Sequence, residues 1–402
     1  MAIAAAPRFT SKTALALLLT LLVGALSGCG GAGGSNSAST NNATPTSPSE
    51  FLYVSDTVGN VFGFSIDPSS GTLAAIRSGH PMAVVGSGFA GVVRIAADPN
   101  GTNLYCSRAA VDGRDNLSVL FWRAATQFHD AGDLGTWSDM DQALTIPPGT
   151  LAVDPSGKNL YLIPDPSANL SEVLSFSIAP GTPHSPHLVA LSTPVTGAPG
   201  VPQDITVDPS GKYVYVTFAG AAGAQVTGYS RDQTTGVLTN LSNSPFANSG
   251  GNDSQGIGVA PSFAVIANAA TNNLSVMSLD GATGTLTNIA NSPFTAGTTP
   301  LAVAVDPSGK FVFVANQGDN TLAAYAMSAS GALSILSGSP FTVGTQPQAV
   351  TVDESGQFVY VACADGSVWG FTLNTANATL TPIAGSPFSA NGTLRDIVVL
   401  KQ

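Results

Sequence analysis

Ala302–Met327 reads AVAVDPSGKFVFVANQGDNTLAAYAM, and Ser330–Phe341 continues it as SGALSILSGSPF. Two alternating apolar runs flank Asp306-Pro307-Ser308-Gly309. A third run follows, then Gly331-Ala332-Leu333-Ser334 and Ser339-Pro340-Phe341. Proline after the aspartate presets a type I turn, and the glycine accepts the positive φ that comes later. Alternation over five or six residues marks strands packed between two neighbours. The segment therefore predicts an antiparallel meander of short strands.

The pattern recurs from residue 51 to the end. Asp-Pro-x-Gly stands at Asp98, Asp154, Asp208 and Asp306. It survives as Asp353-Glu354-Ser355-Gly356 and, without the acid, as Ala260-Pro261-Ser262. Ser-Pro-Phe carries its proline at Pro245, Pro293, Pro340 and Pro387, every 47 or 48 residues, with weaker copies at Thr193-Pro194-Val195 and His80-Pro81-Met82. A period near 50 made of strands points to a propeller rather than a helical solenoid. Tyr-Val-type strands at Tyr53, Tyr105, Tyr161, Tyr215, Val265, Phe313 and Tyr360 count seven blades. Phe51–Val54 has no turn-bearing strand before it, and Leu394–Leu400 has no blade after it. The expectation is an all-β, seven-bladed propeller of four-stranded blades over residues 51–402. Its C-terminal strand completes blade 1 and removes the open sheet edge.

Composition fits that class: 44 Gly, 27 Pro, 9% charged residues and 44% hydrophobic ones, enough apolar surface to exclude disorder for most of the chain. The net charge is −11, and no basic run occurs beyond the N-terminus, which argues against a nucleic-acid partner. Arg8 and Lys12, the apolar run Ala14–Leu26 and the box Leu26-Ser27-Gly28-Cys29 read as a lipoprotein signal over residues 1–28. Cys29 would carry the lipid; an ordinary signal peptide is the alternative. Residues 29–50 read as a Gly/Ser/Asn/Thr/Pro tether. The expected place is the bacterial cell envelope, membrane-anchored, as a monomer. Cys106 and Cys363 fall in blades 2 and 7 and read as buried thiols, because bridged Cα atoms must lie within about 7 Å.

The strands Tyr360-Val361-Ala362-Cys363, Phe313-Val314-Ala315-Asn316 and Tyr215-Val216-Thr217-Phe218, with Asp-Pro-Ser-Gly-Lys and Gly-x-Leu-Thr, resemble the YVTN repeats of lactonase-type propellers. That family includes the propeller-type bacterial 6-phosphogluconolactonases and many secreted relatives without assigned function. The resemblance covers about residues 51 to 402. It implies the fold and, more weakly, lactone hydrolysis, because the shared motifs are turns and core strands.

In propellers the inner strands line a central channel, a common place for a site. With the strands aligned on the turn aspartate, the position four residues before it reads Arg94, Thr150, Asp204, Gly256, Ala302, Ala349 and Asp396. One residue earlier stand Gln203, Gln255, Gln348 and Arg395. With 13 basic residues in the whole chain, two arginines beside two aspartates here suggest either a ligand or catalytic site or a solvated ion-pair network. Asp204, Asp396 and Arg94 are the candidate catalytic residues.

A second ring follows the Tyr-Val strands: Asp56, Arg108, Pro164, Phe218, Asn268, Asn316 and Cys363. Arg94, Arg108 and Arg114 could hold an anion, since guanidinium forks match carboxylate or phosphate, or could pair with Asp112 and Asp115. His80 is either a general base near the channel or a loop residue. The aromatic and acidic stretch from Phe121 to Asp141 reads as a decorated loop, with a carbohydrate lip or calcium loop as the alternative. His184 and His187 read as coincidental rather than metal-binding.

No Gly-x-Ser-x-Gly, His-Glu-x-x-His, Cys-x-x-Cys or phosphate-cradling glycine loop occurs, and no metal or cofactor is expected. Two functions fit: a lipid-anchored binding or scaffold protein using its polar face for a small molecule, glycan or protein, or a hydrolase of a sugar-type lactone. For the second, one carboxylate directing a water and one arginine on the oxyanion would suffice.

Overall fold

The computed structural model describes residues 50–76, 82–83, 94–101, 103–108, 116–120, 149–165, 171–179, 187–191, 195–196, 200–219 and 225–401. The signal, Cys29, most of the tether, His80, Arg114, His184 and the Phe121–Asp141 stretch lie outside them. Among the described residues the protein is an all-β propeller without helices, with six sheets of five strands and one of three.

The segment that opened the sequence shows how one sheet forms. Pro300–Val305, Phe311–Asn316, Thr321–Met327 and Leu333–Ile335 pair antiparallel in that order. The Asp306 carboxylate is buried in the first turn, where it accepts the Lys310 and Phe311 amides at 2.7 and 2.6 Å and the Ser308 amide at 3.0 Å. Asp154, Asp208 and Asp353 repeat this arrangement. The turn acids are thus structural, their charge met by backbone dipoles.

The expected four-stranded blade is corrected to five strands. Ser-Pro-Phe ends in a two-residue strand, Phe341–Thr342, that pairs with the start of Thr321–Met327, while Leu333–Ile335 pairs with its end. Between the two, the Ala324 amide has no partner strand and donates to Ser339 Oγ at 2.9 Å. Ser244, Ser292 and Ser386 do the same for Gly228, Val276 and Gly370. The serine of the motif therefore closes a gap in the outer edge.

Neighbouring sheets are locked by the other two motifs. Tyr161, Tyr215 and Tyr360 are fully buried, and their hydroxyls donate to the carbonyls of Gly236, Gly284 and Gly71 at 2.8, 2.8 and 2.7 Å. Each acceptor is the glycine of Gly-x-Leu in the following sheet. At Gly71 (φ +72°) a Cβ would run into the Phe358 ring, so glycine is needed there for space as well as for backbone conformation.

The C-terminal strand Leu394–Lys401 pairs antiparallel with Glu50–Asp56, with Phe51 opposite Leu400 and Tyr53 opposite Val398. It is the innermost strand of the first sheet, as the sequence predicts. The inner strands stand side by side in a circuit: Arg94–Ala97, Gly149–Val153, Val201–Val207, Ser254–Ala260, Pro300–Val305, Pro347–Val352, Leu394–Lys401 and back to Arg94–Ala97. Core clusters lie between sheets, as where Leu52, Val54 and Phe64 meet Phe358, Tyr360 and Ala362. Cys106 and Cys363 are buried thiols in two different clusters.

Candidate functional site

Strict alternation would let only every second residue of an inner strand face the axis. These strands break it. The pairing register slips between Pro202 and Asp204, Ser254 and Ile257, Pro300 and Ala302, and Pro347 and Ala349, and likewise where Arg395 is skipped in the closing strand. Each slip is a β-bulge that leaves one extra residue unpaired and re-aims its side chain. The consecutive pairs Gln203-Asp204, Gln255-Gly256, Gln348-Ala349 and Arg395-Asp396 therefore all line one axial cavity of about 190 Å³. That is several times the roughly 30 Å³ share of one liquid water.

Arg94, Thr150, Asp165 and Ala302 line it too. The wall is two-sided: arginines, aspartates and Thr150 on one arc, small residues Gly256, Ala302 and Ala349 on the other. All of the first-ring positions expected from the sequence are brought together. The second ring is not. Asp56, Phe218, Asn268, Asn316 and Cys363 are buried in or beside the sheets and do not line the cavity. Phe218 packs in a core cluster instead. Of Arg108 the backbone alone is described, paired with Asn116. His80 and Arg114 lie outside the described residues.

The two aspartates are held alike. Asp204 Oδ1 accepts the Ile205 amide at 2.9 Å and Oδ2 accepts Ile257 from the next inner strand at 3.0 Å. Asp396 accepts Ile397 at 2.9 Å and Ile95, also on the next inner strand, at 3.0 Å. The carboxylates are thus oriented by amides rather than consumed by the arginines. Both side chains stay partly open to the cavity while protein surrounds them, and burial pushes both up. Asp204 reaches about 6; the amides and Arg94 pull it back, and the charge of Asp396 adds to the rise. Asp396 is raised by burial against the pull of Arg94, its amides and Arg395.

Arg395 donates through Nη1 to Gln348 Oε1 at 3.2 Å, and Gln348 in turn donates to the Gln346 carbonyl at 3.1 Å. Burial and then the neighbouring charge of Arg94 draw Arg395 down to about 10. Arg94 Nη1 reaches the Arg395 carbonyl at 3.4 Å. Gln203 and Gln255 are tied locally, to the Val201 carbonyl and to Asp253. The cavity thus offers an acid of near-neutral pKa beside two guanidinium groups in a partly dry site, the equipment for moving a proton and stabilising an oxyanion. Among the described residues no group of three His, Cys, Asp or Glu is placed to hold a metal.

Sequence reasoning missed Asp165, the residue after the Pro164 of the second ring. It also missed Arg231, which is buried outside the cavity. Arg231 donates to Asp154 at 2.8 Å, Asn159 at 2.6 Å, the Tyr161 hydroxyl at 2.8 Å and the Gly211 carbonyl at 2.9 Å. A signal existed: Ile66, Leu279, Met327 and Leu373 hold the matching position of other third strands, each opposite a leucine. A charge in an apolar repeat column needs a buried partner.

A family model described as "Lactonase, 7-bladed beta-propeller" matches residues 262–393. Among solved structures the chain is similar to a putative 6-phosphogluconolactonase from Bacteroides fragilis, with 14% identity, a TM-score of 0.67, and coverage of 88% of this chain and 98% of that one. A second putative 6-phosphogluconolactonase, from Bacteroides uniformis, gives 15%, 0.67, 88% and 100%. The periplasmic gluconolactonase PpgL of Pseudomonas aeruginosa gives 16%, 0.61, 87% and 99%. At such identities the likeness is one of fold. No curated protein matches the chain.

Proposed function

We propose that this propeller is a lactonase-family hydrolase acting on a small, unphosphorylated sugar-type lactone in the axial cavity. The observation that carries the reading is the convergence of Asp204, Asp396, Arg94 and Arg395 on one water-accessible space. A lactone is an activated ester, so modest help suffices. Asp204 takes a proton from a water as the water oxygen adds to the acyl carbon. The carbonyl electron pair moves onto oxygen, where Arg94 or Arg395 meets the charge. The ring C–O bond then breaks, its electrons leave with the alkoxide, and the proton passes from Asp204 to that oxygen. Lactone plus water becomes one hydroxy acid. The family match and the fold shared with PpgL support this reading over the scaffold role.

The test is a lactone panel headed by glucono-1,5-lactone on the full chain, beside Asp204→Asn, Arg94→Gln and an Asp204→Ala, Asp396→Ala double variant, each checked for native circular dichroism. Hydrolysis should fall at least a hundredfold in folded Asp204→Asn. Turnover indifferent to these changes removes the residues named; no turnover of any lactone returns the protein to the binding or scaffold role.

We further propose that the three-stranded sheet Arg94–Ala97, Leu104–Arg108 and Asn116–Leu120 is the seventh blade. Its place in the circuit, between Leu394–Lys401 and Gly149–Val153, supports this. The envelope placement, with a lipid on Cys29 and a tether to residue 50, rests on the N-terminal sequence pattern. Mass spectrometry of the membrane fraction tests it; an unmodified Cys29 would remove the anchor.

A further inference from the structure

We infer that Arg395 anchors the carboxylate of a sugar acid in the axial cavity and that Gln348 positions it for this, so that the site holds the ring-opened product as well as the lactone. This deepens the reading above and rests on it for the sugar-like body of the ligand. Two guanidinium groups share this wall, and the carboxylates beside them are turned to backbone amides: Asp204 to Ile205 and Ile257, Asp396 to Ile95 and Ile397. At Arg395 burial and the charge of Arg94 outweigh the opposite charges of Asp396 and Asp165, so a further anion would be stabilising there. Asp165, the remaining charged group of the wall, faces the same space.

The donors point the same way. Arg395 spends one Nη on Gln348, while its buried Nε has no hydrogen-bond acceptor among the described residues. An orphaned buried N–H of a charged group is costly, and a planar carboxylate satisfies Nε and the second Nη together. Gln348 is well placed to hold that plane. It is buried, its amide nitrogen is fixed on the Gln346 carbonyl, and its oxygen therefore faces Arg395. Across from the arginines, Gly256 and Ala302 give a smooth surface for the C–H face of a polyol.

The experiment is isothermal titration calorimetry of the full chain with three probes: sodium gluconate, inorganic phosphate and glucose. Gluconate should bind at least tenfold tighter than either of the others. Arg395→Gln should weaken it at least tenfold. Gln348→Glu should do the same while holding or raising the melting temperature, because the new carboxylate would occupy Arg395 from within. A merely structural Gln348 would leave gluconate affinity intact in that variant. Gluconate binding no tighter than glucose, or unchanged in Arg395→Gln, overturns the proposal; phosphate binding as tightly as gluconate overturns the carboxylate assignment. Gluconate binding without hydrolysis of any lactone sinks the hydrolase and leaves this anchor standing. Hydrolysis that gluconate does not inhibit sinks the anchor alone.

Discussion

Asp396 Oδ2 accepts the Ile95 amide at 3.0 Å, fastening the last strand of the chain to the inner strand of the next sheet. Its other oxygen holds Ile397, so one side chain satisfies two amides. Asp396→Ala would leave both without their acceptor, at roughly 1–3 kcal/mol for each buried orphan. The expected loss is about 2–6 kcal/mol in urea unfolding. Asp396→Asn keeps one acceptor and should fall between variant and wild type. If Asp396→Ala unfolds like wild type, the fastening contributes nothing.

The strand that carries Asp396 buries Leu394, Ile397 and Leu400 and covers the inner edge of Glu50–Asp56. Deleting the last eight residues should therefore abolish cooperative unfolding rather than shave a terminus. Limited proteolysis reads this directly: the truncated chain should be cut within the 51–76 region, where the full chain resists.

Asp204 should make stability fall as pH rises from about 4 to about 6. Its folded pKa of about 6 lies above the ordinary 3.8, so in that window the folded state holds a proton that the unfolded chain has lost. The stabilisation is complete below the lower value and gone above the upper one. Its size is on the order of 3 kcal/mol. Hydrolysis should run the opposite way, with kcat/KM rising through about pH 6 as the carboxylate becomes available. Asp204→Asn should flatten the stability profile over this window; an unchanged slope would assign it to other groups.

The repeat was legible because each motif does one local job: aspartate in a turn, glycine at a positive φ, serine under an unpaired amide. The cavity wall was legible for a related reason. The bulge lies at a fixed distance before the turn aspartate, so counting back from Asp208 or Asp353 finds Gln203, Asp204 and Gln348. What could not be read is where those side chains finish their hydrogen bonds. Asp204 meets Ile257 about fifty residues away, and nothing near Asp204 in sequence encodes that amide. The short strand after Ser-Pro was hidden as well, since two paired residues leave no periodicity. The second ring was misjudged because polar Asp56 and Asn268 satisfy themselves on nearby groups, such as Asn60 and Asn273, and face no open space.

Tyr360→Phe should cost about 1 kcal/mol, the net worth of one hydrogen bond. It removes the bond to Gly71 across the join between the last sheet and the first, while the ring and its packing remain. Phe313, at the matching place in the preceding sheet, shows that the strand itself does not require a hydroxyl. Urea midpoints at equal m-value would give the loss.

Arg231→Ala should be the most damaging single change away from the cavity. Arg231 is 6% exposed, and its guanidinium spreads its donors over Asp154, Asn159, Tyr161 and Gly211, tying the sheet containing Gly149–Val153 to the sheet containing Val201–Val207. Removing it strands the buried Asp154 carboxylate, which also organises the turn through the Ser156, Lys158 and Asn159 amides. Breaking a buried pair from one side costs about 3–5 kcal/mol. Arg231→Lys should recover little, because one ammonium cannot reach four acceptors spread around a planar fork. Unfolding midpoints of the two variants decide it: if lysine restores wild-type stability, charge alone is what the site needs and the fork geometry is incidental.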